Sequence, residues 1–374
     1  MQFKDTKPHY LALDGLRGVA ALIVVLYHIF EGYATSPMDQ HVNHGYLAVD
    51  FFFLLSGFVI GYAYDDRWGK KGFTVLSYFK RRLIRLHPMV VLGALIGAVS
   101  FLAQGSVQWD GTPVNLGWVT LSLILTMLMI PAAPGSPYEV RGNGELFPLN
   151  GPSWSLFFEY VGNILYALLL RKASTKTLKV VAGVTGLGLL WYAVTNQSGT
   201  GNLGVGWTMA GTNLIGGSLR LLFSYSAGLL IARVFKPSRV KHGFLIATVS
   251  LLVLLPVPHL GIMWLNGLYD TLLITVVFPI LLWIGASSDA SATSATGKVY
   301  TLLGDLSYPV YMVHYPVMYL FYAYLWKDGL GLADSWPVAI GVYLGSLFLG
   351  YLAYRLYDLP VRKRLTKRYM SPKP

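Results

Sequence analysis

The chain has no cysteine, which excludes disulfides, thiolate metal sites, iron–sulfur clusters and a cysteine nucleophile. Any covalent intermediate must form on another residue. Charge is scarce too: 12% of the 374 residues are Asp, Glu, Lys or Arg, against 54% hydrophobic. A soluble domain with a normal polar shell is excluded on that ground. Carboxylates are the rarer sign, 17 against 29 Lys and Arg, leaving a net charge of +12. In a soluble protein this excess would suggest nucleic acid. Its placement gives another explanation, and no nucleic-acid partner is expected.

Apolar runs are what the sequence has in quantity. Stretches of roughly 17 to 22 residues, enough to cross a ~30 Å hydrocarbon core, recur along the whole length. They lie near 16–33, 46–64, 83–102, 153–170, 178–195, 212–234, 243–262, 267–285, 299–326 and 337–358. The expected fold is an all-α integral membrane protein of about ten transmembrane helices, one domain over 1–374 with its core at 8–360. The first run is too long for a signal-peptide core and no small-residue cleavage site follows it, so it counts as the first span. An eleventh apolar stretch, 116–131, is short and ends at Pro131. It is expected to be re-entrant or to lie along the outer surface.

Basic residues gather in alternate loops: Lys4 and Lys7, Arg67 to Arg85, Arg171 to Lys179, Arg233 to Lys241, Lys298, and Arg355 to Lys373. The positive-inside rule makes these loops cytoplasmic, with both termini inside and the protein in the cell (inner) membrane. Arg141 and Lys327 fall in segments placed outside. The stretch 361–374, with RKRLTKR from Arg362, is expected to be a basic cytoplasmic tail that anchors topology. Prolines 134, 137, 148 and 152, with several glycines, make 132–152 an outward loop. SSDASATSATG, from Ser287 to Gly297, is a polar cytoplasmic linker. No internal repeat is evident, which weakens an inverted-repeat transporter.

Inside the first run, LRGVAALIVVLYH sets Arg17 and His28 eleven residues apart. At about 100° per residue a helix returns position i+11 to within about 20° of position i, so both side chains share a face, ~16 Å apart along the axis. An ionisable pair inside a membrane helix is costly and marks function by default. Taken alone, His28 is as readily a packing residue as a catalytic one. Glu31, three residues on, shares that face and could orient the imidazole, but the stronger reading is that it marks the membrane surface.

FKRRLIRLHP, from Phe79 to Pro88, puts Arg82 and Arg85 on one helix face at the cytoplasmic start of the third span. Forked guanidinium groups there suit phosphate or pyrophosphate, although ordinary positive-inside charge is the plainer explanation of most basic clusters. Asp50 lies just inside the outer end of the second span. Glu159 follows Trp154, Phe157 and Phe158 in NGPSWSLFFEY, an arrangement like a sugar site; an interfacial aromatic belt explains the rings but not the acid. Arg220, well inside a span, is placed to neutralise one of these acids. LGDLSYPVYMVHYPV carries Asp305 and His314 between prolines. There the favoured reading is structural: a kinked helix whose polar groups repair broken backbone bonds. By depth, His28, Glu31, Asp50, Glu159 and Arg220 fall in the outer half, and Arg82 and Arg85 at the inner surface.

Taken together, ALDGLRGVAALIVVLYH, VDFFFLLSGFVIGY, FKRRLIRLHP, PSWSLFFEY and LSYPVYMVHYPV resemble, in order and spacing, the membrane acyltransferase family 3, whose members O-acylate cell-surface polysaccharides and other acceptors. The resemblance runs over nearly the whole chain. It implies an essential Arg17 and His28 pair, an acyl-CoA site at Arg82 and Arg85, and a motif contributing Trp154 and Glu159. His87 stands where the family often has tyrosine. With no soluble esterase-like domain after Pro374, a stand-alone form is expected. The implied reaction moves an acyl group, acetyl being common in the family, from cytoplasmic acyl-CoA to a hydroxyl of a carbohydrate or glycolipid acceptor at the outer face, with membrane lipid as surroundings and no metal. His28, Arg17 and Glu159 would be catalytic, with Glu31, Asp50, Trp154, Arg220 and His314 in support. A neutral His28 imidazole would be needed. The alternative is a proton- or ion-coupled transporter, or a glycan or lipid exporter, built on His28, Glu159 and Arg220.

Overall fold

The computed structural model describes residues 9–70, 73–236, 238–288 and 293–370. Lys4, Lys7, Lys71, Lys373 and residues 289–292 of the polar linker lie outside the described residues. Among those described, regular structure is helical, with only isolated bridge pairs between extended residues. In chain order the helices are α1 (Leu11–Glu31), α2 (Ala48–Tyr64), α3 (Val75–Ala103), α4 (Leu116–Met127), α5 (Ser153–Leu168), α6 (Thr175–Val194) and α7 (Asn213–Val234). There follow α8 (Gly243–Leu254), α9 (Met263–Leu272), α10 (Phe278–Ala286), α11 (Ala295–Asp328), α12 (Leu332–Leu352) and α13 (Leu359–Met370). A π segment, Leu273–Val277, joins α9 to α10, and another, Ala353–Asp358, joins α12 to α13.

Seven helical stretches are long and apolar enough to cross a membrane: α1, α2 with the turn before it, α3, α6, α7, α9 through α10, and α12 through α13. The chain is an integral membrane protein. The other three expected spans are helical but fall short of that measure. α5 has 16 residues and carries Glu159, and α8 has 12. α11 has 34 residues, but its seven tyrosines, His314 and Asp305 make it more polar than a simple span. α4, at 12 residues, covers only ~18 Å and is too short to cross alone.

The expected tail is a helix instead. Arg362 pairs with Asp358 one turn earlier, at 2.9 Å, and α13 continues to Met370 while packing on α3.

Helix packing here relies on small residues, since lipid supplies no hydrophobic drive between spans. α1 runs along α11, and α2 along α7. A Cβ on Gly57 would lie 2.2 Å from the Tyr225 carbonyl oxygen, and one on Gly228 would lie 2.1 Å from that of Leu54, so each backbone uses the other's missing side chain. On α6, Val180, Val184, Leu187 and Trp191 recur at helical spacing and are exposed, a stripe facing lipid. Segment 132–152 is irregular, as expected, yet much of it is buried: Val140, Arg141, Glu145, Leu146, Phe147, Leu149 and Asn150 are all inside. Gly97 on α3 makes room for it, because a Cβ there would lie 1.8 Å from the Leu149 carbonyl oxygen.

Candidate active site

Two cavities sit end to end in the bundle, each of a size that suits a small-molecule site. The larger, about 620 Å³, is basic: Arg17, Arg81, Arg82 and Arg85 line it with Asp14, Ser56, Glu159 and Tyr308. The smaller, about 280 Å³, is aromatic: Trp109, Trp154, Trp207, Trp326, Tyr315, Tyr319 and Tyr322 line it with His28, Glu31, Asn143, Glu145 and Arg220. Val49 and Tyr311 line both, forming the partition. The Tyr311 hydroxyl is held by Ser155 Oγ at 2.6 Å, and its ring meets Phe52 edge-on.

α1 serves both ends. Arg17 projects into the basic cavity, where Asp14 lies 3.6 Å away, and His28 projects into the aromatic one. The helical repeat that puts them on one face thus places them either side of the partition.

His28 Nδ1 is 2.7 Å from Glu31 Oε2. An ionised carboxylate only accepts, so Nδ1 carries the proton in the neutral ring and Nε2 keeps its lone pair. The Tyr322 hydroxyl donates to the same Glu31 oxygen at 2.9 Å and lies 2.5 Å from the His28 carbonyl oxygen. The Tyr315 ring meets the imidazole edge-on at 4.6 Å between centroids.

His314 stacks near His28, at 5.3 Å between ring centroids, and is fully buried. As the structural reading expects of polar groups in this helix, it bonds the backbone of α11, although not at the carbonyl that Pro316 leaves free. Pro316 has no N–H to give the Met312 carbonyl, and that oxygen accepts from Asn150 Nδ2 at 2.9 Å. His314 Nδ1 instead meets the carbonyls of Tyr311 and Val310 at 2.8 and 3.2 Å, and Nε2 is buried without a partner.

Glu159 is not in the outer group with His28. Its Oε1 accepts from Arg82 Nη2 at 2.9 Å and from Ser56 Oγ at 3.0 Å, and it lines the basic cavity. The short α5 explains the difference: Trp154, at its start, reaches the aromatic cavity, and Glu159, five residues on, the basic one. Arg82 is therefore not a free clamp, since Nε is also bonded to Asn163 Oδ1 at 2.7 Å. Arg85 makes no hydrogen bond or ion pair among the described residues, and Arg81 Nε is buried without a partner.

Asp50 and Arg220 form a fully buried pair at 2.6 Å. Arg220 also donates to the carbonyls of Val205 and Tyr46, at 2.6 and 3.0 Å, and lies 5.3 Å from the Trp154 ring centroid. Charge pairing in a dry site demands such full satisfaction. His28, Glu159 and Arg220, the set a relay would need, thus belong to three separate pairs.

Sequence reasoning passed over Glu145. It is buried on the aromatic cavity, accepts from Asn143 Nδ2 at 2.8 Å, and receives the Tyr319 hydroxyl. Burial pushes its carboxyl up to about 7, opposed by Tyr319 and Arg141. Arg141 lies over the Tyr319 ring at 3.4 Å and is itself bonded to Gln104 Oε1 and the Pro148 carbonyl. A carboxylate in a Gly- and Asn-rich turn was the available signal, but its burial depends on Tyr319, 174 residues away. Among the described residues no cluster of three or more His, Asp or Glu is placed to hold a metal ion.

Comparison with known proteins matches residues 10–355 to the family described as "Acyltransferase domain". The chain is 35% identical over 188 residues to protein 2 in the picA locus of Rhizobium radiobacter, covering 48% of this chain and 93% of that one. It is 27% identical over 370 residues to acyltransferase MdmB of Streptomyces mycarofaciens, covering 91% and 86%. It is also 22% identical over 398 residues to O-acetyltransferase OatA of Staphylococcus aureus, covering 98% of this chain and 59% of OatA, whose remaining length it does not span. No solved structure matches the chain.

Proposed function

The chain belongs to the acyltransferase family that matches residues 10–355, and on that premise we propose that it carries an acyl group, acetyl first, from cytoplasmic acyl-CoA to a hydroxyl of a carbohydrate-containing acceptor at the outer membrane face. The observation that carries this reading is the pair of cavities joined at Val49 and Tyr311, with α1 supplying Arg17 to one and His28 to the other. The basic cavity suits the phosphates of CoA, with Arg85 and Arg81 carrying unspent donors and Arg82 held in place by Glu159. The thioester end of the pantetheine arm would reach past the partition to His28.

Two routes share the same residues. In one, His28 Nε2 takes the proton of the acceptor hydroxyl as its oxygen attacks the thioester carbon; the C–S bond breaks and the proton follows the departing thiolate to give CoA thiol. In the other, Nε2 attacks first, CoA leaves as thiolate, and the acceptor oxygen then takes the acyl group from the imidazole, releasing its proton. Glu31 holds Nδ1–H in both, so that Nε2 is the reactive nitrogen. The four tryptophans would stack on sugar rings while Glu145 and Asn143 hold hydroxyls.

The test follows labelled acetyl-CoA into glycan in membranes containing the protein. Label covalently bound to the acceptor, with an Arg85→Ala variant needing about tenfold or more donor, supports the reading. Transport of an intact solute with no acyl incorporation would replace it with the transporter alternative.

A further inference from the structure

The end of the basic cavity away from the partition is aromatic. Tyr10, the residue before α1, and Tyr62, in the last turn of α2, both line it. Their rings lie 4.9 Å apart between centroids, inclined at 62°. Phe58 and Phe235 meet the Tyr10 ring edge-on, at 5.4 and 5.9 Å, and the Tyr62 ring lies parallel to that of Phe58. Phe58 is fully buried, whereas both tyrosines are only half-buried and keep surface on the cavity. His9, at the same end, has a side chain 73% exposed, so this is where the cavity opens.

α1 and α2 run antiparallel beside it: Tyr10 meets Tyr62 at one end, and Tyr27 meets Tyr46, just before α2, at the other. Position along these helices therefore measures depth. At ~1.5 Å per residue, Arg17 lies ~10 Å inward of Tyr10 along α1. Along α2, Ser56 lies ~9 Å inward of Tyr62, with Phe52 at ~15 Å and Val49 at ~20 Å. Ser56 marks the level of Arg82, because both bond the same oxygen of Glu159. From its open end to the partition the cavity wall is thus aromatic, then cationic, then apolar.

An acyl-CoA read from its nucleotide end presents its groups in that order: a flat purine, the phosphates, then the pantetheine arm with the thioester. The opposite orientation would carry the thioester away from His28. A base packs on an aromatic face whatever its hydrogen-bonding edge, so part-open phenol rings one phosphate group's reach from the arginines suit it. We infer that Tyr10 and Tyr62 form the adenine subsite, the purine packing against these rings when the phosphates meet Arg17, Arg82 and Arg85. This rests on acyl-CoA being the donor.

Full-length protein in phosphatidylcholine nanodiscs is titrated calorimetrically with CoA and with phosphopantetheine, which keeps the arm but lacks the nucleotide. Tyr10→Leu and Tyr62→Leu are each expected to weaken CoA about tenfold and to leave phosphopantetheine within about twofold. Tyr62→Phe, which keeps the ring face, is expected to bind both as the wild type does. Equal weakening of both ligands would assign the rings to packing between α1 and α2 and overturn the inference, as would an unchanged affinity for CoA. A second readout needs no substitution: etheno-CoA, whose base loses fluorescence when stacked, is expected to dim on binding to the wild type. A bound ligand that stays bright would overturn the inference. Failure of the wild type to bind CoA at all would bring down the donor reading itself.

Discussion

The 2.7 Å contact between His28 Nδ1 and Glu31 Oε2 fixes which imidazole nitrogen faces the aromatic cavity. Glu31→Gln keeps the shape but removes the obligate acceptor, so the ring can present either nitrogen. The expected outcome is a fall in kcat of about 10²-fold or more with donor KM little changed. Steady-state kinetics on purified protein check it.

Arg82 and Glu159 are expected to act as one unit. Each single neutral variant leaves a mostly buried charge unpaired, so Arg82→Gln and Glu159→Gln should each lower stability, and the double variant should regain part of the loss. A thermal double-mutant cycle should give a coupling of about 0.5–3 kcal/mol. Donor KM should rise in all three while acceptor KM holds, which locates Glu159 on the CoA side.

Glu159 and Glu145 show what a linear reading can and cannot reach. The Arg17 and His28 relationship depends only on helical periodicity, so it was visible in the chain, and so was the need for Arg220 to meet an acid, which Asp50 satisfies. Glu159 was assigned by its distance from a loop, and that measure fails because α5 is short and its first two turns straddle the partition. Glu145 was hidden for another reason: turn residues say where a chain bends but not what covers it, and its cover comes from α11. His314, between two prolines, does bond carbonyls of its own helix, but the carbonyl that Pro316 frees is met by Asn150 from a distant loop, which no local pattern shows.

Glu145 gives a pH dependence. Its carboxyl is raised from 4.5 to about 7 by burial, so between those values the folded protein holds a proton that the unfolded chain releases. Stability tied to this group is fully present below about 4.5 and is lost as pH rises through about 7. Glu145→Gln should flatten Tm over that window relative to wild type, as followed by thermal unfolding at stepped pH.

Gly97→Val should displace segment 132–152, because the Leu149 carbonyl occupies the space a side chain needs. A cost of about 1–3 kcal/mol is expected from overpacking. Acceptor KM should rise more than donor KM, since the segment brings Asn143 and Glu145 to the aromatic cavity.

The most direct test supplies labelled acetyl-CoA to the face of sealed, oriented vesicles that bears Arg85 and measures acyl groups on glycan inside. Label is expected in the wild type, with a loss of about 10²-fold or more in His28→Ala, at equal expression and with CoA binding retained. Undiminished labelling by His28→Ala would contradict it.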